Sequence, residues 1–378
     1  MQMNGSEMQW HVHGGRNGII ELLRFVCALI VVLFHTGFLV KGRSLADGPL
    51  FFTAGSCAVE FFFVLSGFLM ARSIAKKHAS GATGGSIGSE TFDFVFKKMC
   101  RLWPHVLLSC SMILCVNVFV GRMTVQAAML KAWTCISELL FVHMSGFTYG
   151  MINGHLWYLS AMLLAMWTLY PLARTKSNLF NFVIAPLMAL LLIGWLVQAN
   201  GGVGRPVVRS GFFLNGLVRA FAEVCAGCFC FEVSERLSAN RRLQKRQGLA
   251  ILLWSVCVAV ALFWMWRNFG GSVFHLLLLF CVIITLSFSL PVFEMKQGGR
   301  LYHVCKWLGA LSLPIYIHQN WAIVIGGIIY PSIETFGIYT KGVLVVLAIL
   351  LPFSIVAELT FRGLRMNCLG YGKEKGVG

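Results

Sequence analysis

Ten stretches of this chain are apolar over the length a helix needs to cross a bilayer, and no other feature limits the fold as much. A hydrocarbon core takes about 20 residues of helix, within a range of roughly 17–25. The runs lie near 18–40, 55–72, 104–121, 156–173, 179–197, 211–233, 248–266, 273–292, 307–330 and 342–361. In lipid each segment has to satisfy its own backbone N–H and C=O groups, so such runs are read as helices. The expected fold is all-α: a polytopic membrane protein, a bundle of about ten transmembrane helices. Two spans are weaker than the rest. Pro171 is placed to end the fourth, and the sixth contains Arg219 and Glu223. The first is too long, and too poor in a small-residue cleavage site, to be a removed signal peptide, and is expected to stay. Only 12% of the 378 residues are charged, half the share of a soluble domain, which excludes a cytosolic globule and a disordered chain.

The charges are lopsided, with 31 Lys and Arg against 14 Asp and Glu. Alternating spans send 22 of those 31 to one side, including Arg16, Arg24, the 72–101 segment, the cluster from Arg236 to Arg246 and the C-terminal tail. Loops rich in Lys and Arg stay cytoplasmic, so both termini are expected there. Membrane flanks account for the excess, and no nucleic-acid module is present. Residues 1–17 and 363–378 read as cytoplasmic tails around an integral domain at 18–362. Two connections look long. Residues 73–103 carry a flexible Gly/Ser stretch and a basic segment, and 122–155 read as an outer amphipathic helix or a re-entrant piece over a cavity mouth. The thirteen cysteines mostly sit in apolar runs as small hydrophobes. Cys225 and Cys228 form a CxxC without a second pair, so no metal site is expected.

An ionisable group at membrane depth is expensive, and is read as functional until shown otherwise. Arg24 and His35 are eleven residues apart, within about 20° of one helix face and some 16 Å apart along the axis. Glu60, on the returning second span, falls near the depth of His35. A histidine with a carboxylate at one depth suits a general base and its orienting partner, or a structural clasp between two helices. Arg219 and Glu223, at i and i+4, can neutralise one another.

The run from Arg24 to His35 resembles the Arg-x10-His signature of the type-3 integral-membrane acyltransferases. Ala58 to Met70, AVEFFFVLSGFLM, is similar to that family's second-span motif, an acidic residue before Phe-Phe and then Ser-Gly. Phe96 to Pro104, with Arg101, resembles its basic lead-in to the third span, although Lys97 and Lys98 stand where a second arginine is common. His155-Leu-Trp157 and the block from Ser312 to His318 resemble two further motifs, so the resemblance covers about 18–362 in order.

What the resemblance implies is transfer of an acyl group, usually acetyl, from acyl-CoA to a hydroxyl of a cell-envelope glycan, a lipid-linked sugar or a small glycoside. His35 and Glu60 would be catalytic. Arg24, Lys97, Lys98 and Arg101 would hold the CoA phosphates, for which a basic cytoplasmic surface is chemically apt. Ser66, Trp157, Tyr316 and His318 are secondary positions lining a substrate path, and each has a packing or interfacial reading beside it. The co-substrate would be acetyl-CoA, the other partners a carbohydrate or glycolipid acceptor and membrane lipid, and the location a bacterial inner membrane. The alternative is a transporter or flippase for a lipid-linked or small polar solute. Transporters often carry inverted repeats and broken helices, and the sequence displays neither. The charge count makes a direct prediction: a reporter fused after Gly378 reads cytoplasm and one near Lys131 reads the exterior. An exterior C-terminus would leave acyl-CoA no route to the basic surface.

Overall fold

The computed structural model describes residues 17–45, 47–81, 85–147, 150–267, 273–295 and 298–371. Arg16, Lys296 and most of the two tails lie outside the described residues. In chain order the helices are α1 (Gly18–Thr36), α2 (Ala58–Ala79), α3 (Ile87–Phe119), α4 (Val125–Thr134), α5 (Ile136–Leu139), α6 (Trp157–Thr175), α7 (Ser177–Leu179), α8 (Ala185–Asn200), α9 (Asn215–Ala239), α10 (Arg241–Lys245), α11 (Gln247–Arg267), α12 (Val273–Ser289), α13 (Arg300–Ile329) and α14 (Phe336–Tyr371). A two-residue antiparallel ribbon, Arg209–Ser210 with Phe213–Leu214, is the only sheet among the described residues.

Each of the ten apolar runs falls on a helix, and eight helical segments are both long and apolar enough to cross a membrane. The two that fall short do so for different reasons. α12 is short, at 17 residues. α9 is long but polar, and it is also the centre of the bundle, packed by α2, α6, α8 and α12. A helix enclosed by four others exposes little surface to lipid and need not be apolar along its length.

Two expectations are corrected. Pro171 does not end the fourth span, because α6 runs through it to Thr175, and Pro104, Pro314 and Pro352 are likewise inside helices. Neighbouring helices in a membrane bundle tolerate the lost N–H. The long loop at 73–103 is mostly helix, since α2 continues to Ala79 and α3 begins at Ile87. The lysines that end the apolar run are good helix formers, so the helices continue past it.

Contacts sort the helix ends into two groups. At one end Asn17 caps α1 and donates to the Ser287 carbonyl near the end of α12, and Arg174 of α6 pairs with Glu90 of α3. At the other, Thr36 meets Tyr339 and the Ala54 N–H donates to the Met265 carbonyl. The first group carries the basic clusters and is called the basic end below.

The α2–α9 crossing is held by two glycines. A Cβ on Gly67 would lie 2.0 Å from the Val224 carbonyl oxygen, and one on Gly227 would lie 2.0 Å from that of Val64. Backbones can approach this closely only where both side chains are absent, the usual device of helix association in lipid. Gly227→Val should therefore push apart the central pair, at a cost of about 3 kcal/mol or more, since overpacking against a backbone cannot be relieved by a rotamer. Thermal unfolding of the purified variant should show a large drop in midpoint. An unchanged midpoint would mean that the crossing is loose.

Candidate active site

α1 packs chiefly on α13, not on its sequence neighbour α2, and this decides what His35 meets. Its Nδ1 lies 2.9 Å from Gln319 Oε1. The Gln319 amide nitrogen donates to the Tyr316 carbonyl at 2.8 Å, so the amide oxygen has to be the atom facing the histidine. That network assigns the proton of His35 to Nδ1 and leaves Nε2 with its lone pair.

The expected pairing of His35 with Glu60 is not formed. Glu60 is fully buried on the face of α2 turned to α9, where its Oε1 accepts from Arg219 Nη2 at 3.2 Å. Arg219 also donates to Glu223 Oε1 at 2.6 Å. The sixth span's own ion pair is present, with Glu60 as a third member. The depth estimate placed His35 and Glu60 on adjacent helices, but the two side chains leave those helices toward different partners.

A second histidine completes the surroundings of His35. The His155 ring is 4.0 Å from it, centroid to centroid, and the Phe38 ring stacks at 5.8 Å. His155 is delivered by the connection between α3 and α6, whose two parts behave differently. α4 turns an apolar stripe outward, with Val125, Met129, Leu130 and Trp133 all exposed, the pattern of a helix that lies along an interface. Further along, Glu138, Phe141, Met144, Ile152, Asn153 and Leu156 are instead buried and plug the bundle. Glu138, fully buried, accepts the N–H groups of Ile152 at 2.6 Å and Asn153 at 2.9 Å. Asn153 donates to Ser109 and to the Ile317 carbonyl and accepts from the His155 N–H. Trp103 of α3 ties down the Leu139 carbonyl at 2.6 Å. The region thus combines a helix with an exposed apolar stripe and, after it, residues packed into the bundle.

On the basic-end side of this pair lies a cavity of about 200 Å³. Arg24, Lys98 and Arg101 line it near the basic end, Ser66, Tyr158 and Tyr316 deeper in. Arg24 is held by Glu21 at 2.8 Å, and Glu21 has its space because Gly309 of α13 carries no side chain there. Phe62, Tyr158 and Tyr316 stand together, at ring separations of 5.6–6.5 Å. Tyr316 connects the two compartments, since its ring lines the cavity while its hydroxyl donates to the His155 carbonyl at 2.7 Å.

The remaining sequence-derived positions separate. Ser66 lines the cavity and donates to the Met162 sulfur at 3.2 Å. Lys97 is exposed on the other face of α3 and does not line the cavity. Trp157 packs on Phe63 and lies over Arg219, 5.9 Å away, so it covers the ion-pair triad. His318 points away from His35 into a buried array. Its Nδ1 faces the Trp321 indole N–H at 3.5 Å, its Nε2 faces His105 at 3.4 Å, and His105 in turn faces Glu358 at 3.4 Å. Cys225 and Cys228 are packing residues on α9, both buried, and no cluster of three or more metal-ligating side chains occurs among the described residues. Sequence reasoning missed Gln319 and undervalued His155. The signal for Gln319 was a polar cluster, His318-Gln319-Asn320, inside an apolar run and just beyond Tyr316.

The family comparison can be set beside this geometry. A family model described as an acyltransferase domain matches residues 17–357. The chain belongs to this acyltransferase family. The match takes in every helix from α1 to most of α14, and so both compartments of the site. No curated protein and no solved structure matches the chain. As a member of the family, the protein is a multi-pass membrane acyltransferase.

Glu138 gives the acyltransferase's plug a pH signature. Burial pushes its carboxyl from 4.5 up to about 7, against the pull of the Ile152 and Asn153 N–H groups and of Lys131. In the unfolded chain it would titrate near 4.3. Between those values the folded protein holds a proton that the unfolded chain has released, so stability from this group falls as pH rises from about 4.5 to about 7 and then levels off. The expected size is about 1–3 kcal/mol. Midpoints measured across that range should slope downward more in the wild type than in Glu138→Gln. Equal slopes would show that Glu138 stays ionised in the folded protein.

Proposed function

We propose that the protein transfers an acyl group, most simply acetyl, from acyl-CoA to a hydroxyl of a cell-envelope glycan, lipid-linked sugar or small glycoside. One observation carries the reading: a cavity with three cations near its basic end reaches, through Tyr316, a histidine whose Nε2 is kept free as a base. With the basic end cytoplasmic, the CoA phosphates meet Arg24, Lys98 and Arg101. Arg101 offers a planar fork and Lys98 a point charge. The pantetheine arm follows the cavity past Ser66 toward Tyr158 and Tyr316, and the acceptor comes from the plugged side. The distance along α1 from Arg24 to His35 is about 16 Å, a span suited to that arm.

In this mechanism His35 Nε2 removes the proton of the acceptor hydroxyl as its oxygen attacks the thioester carbonyl. Gln319, in the place expected for Glu60, holds the ring in the tautomer this requires, and His155 and Phe38 limit its rotation. The C–S bond of the tetrahedral intermediate then breaks, and the proton on Nε2 passes to the departing thiolate. Positioned proton removal contributes about 10²–10⁴-fold.

The test is CoA release by the purified protein with acetyl-CoA and candidate acceptors. His35→Ala should lose at least about 10²-fold in kcat while still binding acetyl-CoA. Gln319→Leu should lower kcat with little change in donor binding. Arg101→Ala should weaken donor binding, and Arg101→Lys should recover part of it. Near-normal turnover by His35→Ala would remove the base from the scheme, and wild-type donor affinity in Arg101→Ala would remove the docking site.

A further inference from the structure

On the side of the bundle away from His35, an apolar groove of about 450 Å³ runs between α8, α9, α11 and α12. Ala189, Ile193, Ala226, Val233, Leu277 and Val282 form its walls. It opens sideways off the bundle, where Leu190, Leu253 and Leu278 are about half exposed. Toward the basic end it continues into a second hollow of about 720 Å³, the two sharing Leu237, Leu253 and Leu286 as lining. That second hollow is lined by Arg242, Lys245 and Arg246.

The basic segment is fixed in place. Asn240 caps α10 by accepting from the N–H groups of Arg242 and Leu243. The Gln244 amide donates to the carbonyls of Leu237, Ser238 and Ser289, which ties α10 to the ends of α9 and α12. Among the described residues no carboxylate forms an ion pair with Arg242, Lys245 or Arg246. Three cations thus stand unneutralised at the mouth of a groove with almost no polar lining.

We infer that this groove is a binding site for an anionic phospholipid of the leaflet at the basic end. One acyl chain lies along α8, α9, α11 and α12, and the phosphate sits on Arg242, Lys245 and Arg246. The apolar groove would take a chain from any lipid. The choice among lipids comes from the cations, since a zwitterionic headgroup carries its own positive charge and gains little there. Arg242 and Arg246 add a forked geometry suited to phosphate. The site is separate from the His35 compartment, so it stands or falls independently of the reaction.

The experiment is competition, read by native mass spectrometry of the full-length protein in mild detergent with equal amounts of phosphatidylglycerol and phosphatidylcholine. The wild type should retain phosphatidylglycerol in several-fold excess, and that excess should shrink as ionic strength is raised. The triple variant Arg242→Gln, Lys245→Gln, Arg246→Gln should retain the two lipids about equally. Arg300→Gln with Lys306→Gln, cations of the same end outside the groove, should keep the excess. Ala189→Phe, which fills the groove, should lower retention of both lipids. Equal retention by the wild type, a full excess in the triple variant or an equal loss in the Arg300/Lys306 control would each overturn the headgroup assignment. Unchanged retention by Ala189→Phe would overturn the chain assignment. Should the triple variant unfold, the salt dependence of the wild type and the single variant Lys245→Gln decide the same question.

Discussion

The Arg219 guanidinium makes two ion pairs, to Glu60 on α2 and to Glu223 one turn further along its own helix, and the packing of the bundle follows from that arrangement. Charges at this depth are tolerable only when paired and kept from lipid. α9 therefore has to be surrounded, and α2, α6, α8 and α12 surround it. Gly67 and Gly227 let α2 come close enough to bring Glu60 within reach. Trp157 then closes over the guanidinium at the head of α6, next to the histidine that the plug presents. The same contact that buries the charges thus sets where His155 begins.

α13 distributes its polar side chains in a comparable way. Tyr316 lines the cavity, Gln319 faces His35, and His318 faces α3 and α14 through His105 and Glu358. Residues three positions apart share a helix face, whereas those one or two apart do not, so Tyr316 and Gln319 serve the cavity and His35 from one side while His318 turns to α3 and α14. The plug is held by the same region of α13. Asn153 reaches the Ile317 carbonyl, and the Tyr316 hydroxyl reaches the His155 carbonyl. His35 is therefore positioned from two directions, both anchored on α13.

The ten helices were legible because apolar length is a local property of the chain. α9 was one of the two weak ones because the feature that stabilises it, enclosure by four other helices, is not local. Of the donor and substrate-path positions read from the sequence, Arg24, Ser66, Lys98, Arg101 and Tyr316 come together around one cavity, while Lys97, Trp157 and His318 do not line it. The partner of His35 was not legible. It lies 284 positions away, and sequence adjacency favoured α2, whereas packing favours α13. His155 was visible only as a polar residue before a span, and a re-entrant piece was one of two readings of the connection that carries it. Glu138 and Asn153, two of the polar residues in that mixed connection, hold its inward fold, because a buried loop has to satisfy its own backbone.

A neutral partner for His35 has chemical consequences that a carboxylate would not. A carboxylate stabilises the imidazolium as a charge and raises the basicity of the ring. An amide fixes the tautomer and orientation but offers only its dipole to the positive ring. In the proposed reaction the imidazolium is then short-lived, and the proton should not rest on the histidine between attack and departure. That suits a single acyl transfer, where the departing thiolate is the natural recipient of the proton that the hydroxyl gave up. It also suits the enclosure. A permanent imidazolium beside His155, 4.0 Å away, would be a charge in a compartment with no carboxylate facing the ring among its described contacts, and desolvation opposes it. The carboxylates of α2 and α9 are committed to Arg219. In the proposed reaction His35 is then oriented by Gln319 and exchanges one proton per turnover.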